Sequence, residues 1–146
     1  MAVKITSVEL WQTEISNEPG ALAATLEPLA QSGADLTVVM KYSIPGRSKR
    51  ATIEIYPGKG RSNALAARKA GFSLSPTPVL LVEGTNRPGL AYAVANTIAW
   101  AGISVRFFSA QVVGSKYSAL LGFKTTAQAR TATSLIRRVA SGKKAV

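Results

Sequence analysis

The chain has 146 residues, of which 47% are hydrophobic and 17% charged, so it can fold as one or two small packed domains. Eighteen Lys and Arg against seven Asp and Glu give a net charge of +11, which favours an anionic partner. Because the sequence has neither Cys nor His, disulfides, thiolate nucleophiles, His-based catalytic triads and most transition-metal sites are excluded.

The seven acidic residues are scattered and form neither a D-x-D nor an E-x-x-E pair. A carboxylate pair for metal binding or glycoside chemistry is therefore not expected, and we predict a protein without catalytic residues, metal or cofactor. Residues 1–11 lack the apolar core of a signal peptide, and no stretch is typical of a membrane span. The expected location is the cytoplasm, without membrane contact.

The first half of the chain predicts six elements in the order strand, helix, strand, strand, helix, strand. Pro19 is expected in the first turn of the first helix and Gly33 at its end, while Pro28 predicts a kink or a later start. The second helix is expected to begin at an N-cap Ser62 and to stop at Gly71. The strands are predicted at residues 8–15, 36–42, 52–57 and 72–75.

The second half predicts the same order. Pro88 is expected in the first turn of its first helix and Gly102 at the end, while Thr126 caps a second helix that runs to about Val139. The tail after residue 139 is poor strand sequence, so the last strand is expected to be weak or missing. The other strands are predicted at residues 79–83, 103–107 and 117–124.

An internal repeat relates the two halves at an offset of 69 residues. Asn-Glu-Pro-Gly at 17–20 returns as Asn-Arg-Pro-Gly at 86–89, and Gly33 returns as Gly102. With one residue removed from the second hairpin, residues 51–55 align with 119–123. Duplication of one unit explains this agreement. The predicted fold is α+β, with two ferredoxin-like βαββαβ units at 1–76 and 77–146, each an antiparallel sheet with helices on one face.

The order strand, Asn-x-Pro-Gly, apolar helix, Gly-x-(Asn/Asp/Ser)-apolar resembles the ACT domain family. The whole plan is similar to small stand-alone proteins made of two ACT domains. The resemblance implies a regulatory, non-catalytic protein that binds a small-molecule effector, usually an amino acid, at junctions where ACT domains pair side by side. The motif positions carried over are Asn17, Gly20, Ala21 and Asp35 in the first repeat, and Asn86, Gly89, Leu90 and Ser104 in the second.

The residues themselves support such a site. Gly20 and Gly89 lack a Cβ, so a ligand can approach the backbone closely. Free N–H groups at a helix start favour a carboxylate, asparagine offers a donor and an acceptor, and Asp35 can pair with an ammonium group. A simple reading stays open: Pro-Gly is also a turn device, and a lone aspartate at a strand end also serves solvation.

Two other functions stay open. Basic clusters at residues 47–50, 59–61, 68–69 and 137–144 favour a nucleic-acid-binding or transcriptional regulator. However, the third strands lack the aromatic pattern of the RNA-recognition motif. A missing last strand favours a ligand-free assembly subunit that regulates a partner enzyme through an open sheet edge. In each case a homodimer or higher oligomer through sheet edges is expected.

Overall fold

The computed structural model describes residues 3–141, and the chain divides into two compact units. The first unit comprises residues 9–76. The second unit comprises residues 77–141 together with strand β1, Val3–Val8. Each unit contains a four-stranded antiparallel sheet and two helices, so the predicted ferredoxin-like fold class is confirmed.

The first unit has the full βαββαβ order. Its sheet order is β3-β4-β2-β5, the order expected of a ferredoxin-like sheet. Trp11, Ile53 and Ile55 face the helices, where they pack with Leu29 in one buried cluster. The elements are β2 Trp11–Ser16, α1 Ala21–Gln31, β3 Val38–Ile44, β4 Arg47–Tyr56, α2 Arg61–Lys69 and β5 Ser73–Leu74.

The second unit repeats this plan, with β1 as its fourth strand. The sheet order is β1-β6-β8-β7. Leu90 and Val94 from one helix and Ile136 from the other pack on Leu121 and Phe123 in a second buried cluster. The remaining elements are β6 Val79–Thr85, α3 Leu90–Trp100, β7 Phe107–Val113, β8 Lys116–Gly122 and α4 Thr126–Ala140.

Strand β1 changes the expected division at 1–76 and 77–146. It pairs antiparallel with β6, from Val3 opposite Gly84 to Val8 opposite Val79, in the place that β5 holds beside β2. The expected strand at residues 8–15 is thus two strands in different units. The strand predicted to be weak or missing after Val139 falls partly at 142–146, outside the described residues. Because β1 satisfies the backbone groups of β6, the open edge that favoured an assembly subunit is filled.

The helix starts differ from the prediction by one or two residues. Pro19 and Pro88 precede α1 and α3, and Gly20 and Gly89 are the N-caps. Gly60 rather than Ser62 caps α2. Thr125 rather than Thr126 caps α4, and its hydroxyl accepts a hydrogen bond from the N–H of Gln128 over 3.1 Å.

The glycine helix ends are confirmed. Gly33 has φ +80, its N–H donates to the carbonyl of Ala30, and the next N–H donates to Leu29. This is the Schellman pair of bonds, and Gly102 ends α3 in the same way. Helix α1 runs through Pro28 without interruption, so the later start is wrong.

The repeat is longer in one hairpin than the aligned residues suggest. Thr37 donates to Tyr56, and Arg106 donates to Gly122, so β3 matches β7 at 69 positions but β4 matches β8 at 66. The predicted alignment of residues 51–55 with 119–123 is therefore wrong by two. Strand β4 accommodates its additional residues in an irregularity where pairing shifts between Ser43 and Ile44.

Two functional classes find no residues in the described part of the chain. Between residues 3 and 141 no helix has the length and apolar character needed to cross a membrane. Over the same range, no group of three or more acidic side chains forms a metal-binding cluster.

Candidate functional site

Two Pro-Gly turns lead from a strand into a helix, and we call them the first loop, residues 17–20, and the second loop, residues 86–89. In the first loop the N–H of Ala21 donates to the carbonyl of Glu18 over 3.2 Å, and in the second Leu90 donates to Arg87 over the same distance. Proline at the second turn position and glycine with positive φ at the third identify both as type II turns.

The two loop glycines serve the backbone angle. Gly20 has φ +86 and Gly89 has φ +82, a region in which other L-residues are strained. A Cβ built on either glycine meets nothing within 4 Å. The expectation that glycine is needed for space therefore gives way to the turn's requirement for positive φ.

Both loops leave helix donors unsatisfied. Neither Gly20 nor Gly89 has a side chain that could cap its helix. In the hydrogen bonding of residues 3–141, the N–H groups of Leu22 and Ala23 find no acceptor, nor do those of Ala91 and Tyr92. Donors of this kind at a helix start attract a carboxylate.

The two loop asparagines differ in their partners. The Asn17 side chain donates from Nδ2 to the carbonyl of Ser48 over 3.1 Å, and its Oδ1 accepts from Lys41 Nζ over 2.9 Å. Its backbone N–H also donates to the carbonyl of Lys49. The backbone N–H of Asn86 makes the matching bond to Ser115, but its side-chain amide has no hydrogen-bond partner among the described residues. The second loop alone thus offers a free amide.

Lys41 is a residue that the sequence did not single out. It lies on β3, and its ammonium group contacts the first loop through Asn17. The alternation of residues 36–42 put Lys41 outside the core, but only the folded sheet shows that β3 passes this loop. An ammonium group there adds to the positive potential at the start of α1.

The remaining predicted site residues are spread over each unit. Asp35 and Ser104 are exposed in the segments between helix and strand, and Asp35 has no hydrogen bond or ion pair within the described chain. Ala21 is the first residue of α1 and is half-buried. Leu90 is only 5% exposed and belongs to the core, which favours a structural role for its side chain.

One buried carboxylate lies away from the loops. Glu54 on β4 is 4% exposed, and the Tyr42 hydroxyl donates to its Oε2 over 3.1 Å. Burial raises the pKa of Glu54, although the hydrogen bond from Tyr42 opposes this. Burial, followed by the charge of Glu54, raises the pKa of Tyr42 to about 12.

No protein-family model and no curated protein matches the sequence, but solved structures share its fold. A Bacteroides thetaiotaomicron protein is 13% identical, with a TM-score of 0.74 over 93% of this chain and 90% of that one. The ligand-free regulatory subunit of aspartate kinase from Thermus thermophilus is 15% identical, with a TM-score of 0.66 over 94% and 97%.

The regulatory subunit of aspartate kinase from Thermus flavus is 16% identical, with a TM-score of 0.59 over 97% of this chain and 96% of that one. At such low identity these likenesses establish the architecture alone. The chain has two ferredoxin-like units of the ACT type, each with an Asn-x-Pro-Gly turn at the start of its first helix.

Proposed function

We propose that the chain is a non-catalytic regulatory protein that binds an amino acid at its Asn-x-Pro-Gly loops. The observation that carries the proposal is the pair of free N–H groups that a glycine N-cap leaves at the start of α1 and again at the start of α3. In α4, by contrast, the Thr125 hydroxyl occupies one of these donors. An amino-acid carboxylate would complete the uncapped helices.

The two loops would bind with different contacts. In the second loop the free amide of Asn86 would orient the ligand, with Ser104 as a hydroxyl partner and the backbone around Gly89 and Leu90 lining the site. In the first loop Asn17 is held by the neighbouring hairpin, so Lys41 would assist the carboxylate and Asp35 would pair with the ammonium group. We therefore infer unequal affinities.

Sheet edges support an accompanying proposal about assembly. Strand β7 is the last strand of its sheet, and its Val112 and Val113 are 50% and 69% exposed. An edge with unpaired backbone groups and exposed apolar side chains favours pairing with another chain. We propose a homodimer or larger assembly in the cytoplasm, with effector loops at junctions between ACT-type units, as the resemblance implies.

Calorimetric titration of the full chain with amino acids tests the proposal, using Asn86→Ala and the distant Asn63→Ala as a matched pair. Asn63 lies in α2, where its amide donates to the carbonyl of Lys59. Asn86→Ala should weaken binding at the second loop by about tenfold, the scale of one lost hydrogen bond to a charged group. Asn63→Ala should leave the affinity unchanged. Equal affinities in the wild type and Asn86→Ala would place the ligand elsewhere.

A further inference from the structure

The two repeats treat the same glutamate position differently. In the first unit, Glu14 Oε1 accepts from Arg50 Nε over 2.8 Å and lies 3.5 Å from Arg47 Nη1. The hydrogen bond from Arg50 is the main reason that the pKa of Glu14 is lowered. Here the carboxylate is neutralised inside its own unit.

Glu83 occupies the matching position on β6. It is opposite Ser118, as Glu14 is opposite Thr52, and the 66-residue match of β4 with β8 puts Lys116 where the first unit has Arg50. Yet Glu83 forms no hydrogen bond or ion pair within residues 3–141, although Lys4 on β1 is its direct cross-strand partner. An exposed ion pair contributes little to stability, so leaving these charges apart costs the fold little.

These unpaired charges line one groove of about 540 Å³ in the second unit, which we call the Glu83 groove. That volume is typical of a small-molecule site. Glu83, Lys4 and Ser118 form one row across three strands, and Lys116 and Thr85 form the next row. Because side chains alternate along a strand, both rows lie on the same face of the sheet.

We propose that the Glu83 groove binds an acidic amino acid. Its ammonium group pairs with Glu83, its two carboxylates pair with Lys4 and Lys116, and the hydroxyls of Thr85 and Ser118 supply hydrogen bonds. A ligand with one cation and two anions matches the one carboxylate and two ammonium groups of the groove. A neutral amino acid would leave one lysine unpaired, and a basic one would place like charges together.

The proposal rests on the proposed function in taking an amino acid as ligand, but it concerns a position distinct from the loop donors. The groove adjoins the second loop along the chain, because Thr85 immediately precedes Asn86. Strand β1 completes it by contributing Lys4, which the first unit has no means of matching because β5 pairs only with Trp11 and Gln12. Only the second repeat is therefore expected to carry this site.

Calorimetric titration of the full chain with L-glutamate and L-aspartate, beside L-glutamine and L-lysine, tests the groove. Glu83→Gln and Lys116→Met should each weaken acidic amino-acid binding by about tenfold or more. The matched controls Glu27→Gln and Lys124→Met change the net charge equally at exposed positions outside the groove and should bind as the wild type does. Circular dichroism establishes that every variant is folded, and Lys4→Met provides a third groove variant.

The outcomes separate the groove from the loops. Glutamate binding that is lost in Glu83→Gln but retained in Asn86→Ala supports the groove and contradicts the loop site. Binding that is lost in Asn86→Ala but retained in all three groove variants overturns the groove and leaves the proposed function standing. Glutamate binding no tighter than glutamine binding, or an equal loss in the control variants, also overturns the groove proposal.

Discussion

Asn17 donates its side-chain amide to the carbonyl oxygen of Ser48 over 3.1 Å, which ties the first loop to the hairpin between β3 and β4. The equivalent amide of Asn86 has no such bond in the described chain. The same residue thus has a structural task in one repeat and a free polar group in the other.

Replacing the two asparagines should separate these tasks. Asn17→Ala is expected to lower the free energy of unfolding by about 1 kcal/mol, because it removes the bond to Ser48 and leaves Lys41 without its acceptor. Asn86→Ala should change it by less than about 0.5 kcal/mol, since no side-chain bond is lost. Urea denaturation measures both. Equal losses would contradict the assignment.

The turn glycines provide a second prediction. Gly20→Ala and Gly89→Ala should each destabilise the chain by about 1–2 kcal/mol, the cost of a left-handed conformation for an L-residue. Gly20→Asn should cost less, because asparagine tolerates this conformation. Thermal and urea unfolding provide the comparison. A neutral Gly20→Ala would mean that the turn does not require positive φ.

Strand β1 should contribute to the stability of the second unit. Ile5 is half-buried against that unit's core, whereas Ser7 on the same strand is exposed. Ile5→Ala is expected to lower the free energy of unfolding by about 1–3 kcal/mol, below the cost at a fully buried site. Ser7→Ala should change it by less than about 0.5 kcal/mol. If both substitutions were neutral in urea denaturation, the docking of β1 on β6 would be wrong.

The buried carboxylate of Glu54 predicts a pH dependence. A pKa raised by burial stabilises the fold at acidic pH, and this contribution is lost as the pH rises through the titration of Glu54. Glu54→Gln should therefore match the wild type in acid and be more stable at pH 7, by on the order of 1 kcal/mol. Urea denaturation at several pH values tests this. A variant that is less stable than the wild type at pH 7 would contradict it.

Tyr42 reports on the same pair. Part of the rise in its pKa to about 12 comes from the charge of Glu54, so Glu54→Gln should lower the pKa of this phenol. Ultraviolet titration of phenolate formation measures the change, with Tyr42→Phe assigning the signal among the four tyrosines.

The repeat and the order of elements were predictable from the sequence, because glycines and prolines recur where the backbone needs them. Gly33 and Gly102 carry the Schellman bonds that end α1 and α3, and these bonds are local in sequence. The helix starts were less accurate, because Pro19 fits the first helical turn and the second position of a type II turn equally well. Only the turn's hydrogen bond decides between them.

Long-range pairing was not predictable from local patterns. The alternation of residues 3–8 indicates a strand but does not specify its partner, and the structure pairs β1 with β6 more than 70 residues away. For the same reason, Lys41 beside Asn17 and the row formed by Lys4 and Glu83 emerged only from the sheet register. The site residues read from the sequence came from one local motif, which left cross-strand neighbours out.

The central claim, that the chain binds an amino acid as a regulatory ligand, is tested most directly by a thermal-shift screen of the full chain against all the amino acids. The account predicts that at least one of them raises the melting temperature in a saturable manner. At about 100 times its dissociation constant, a ligand adds roughly 2.7 kcal/mol to the free energy of unfolding. If no amino acid shifts the transition while an oligonucleotide does, the amino-acid function is contradicted and the nucleic-acid alternative is favoured.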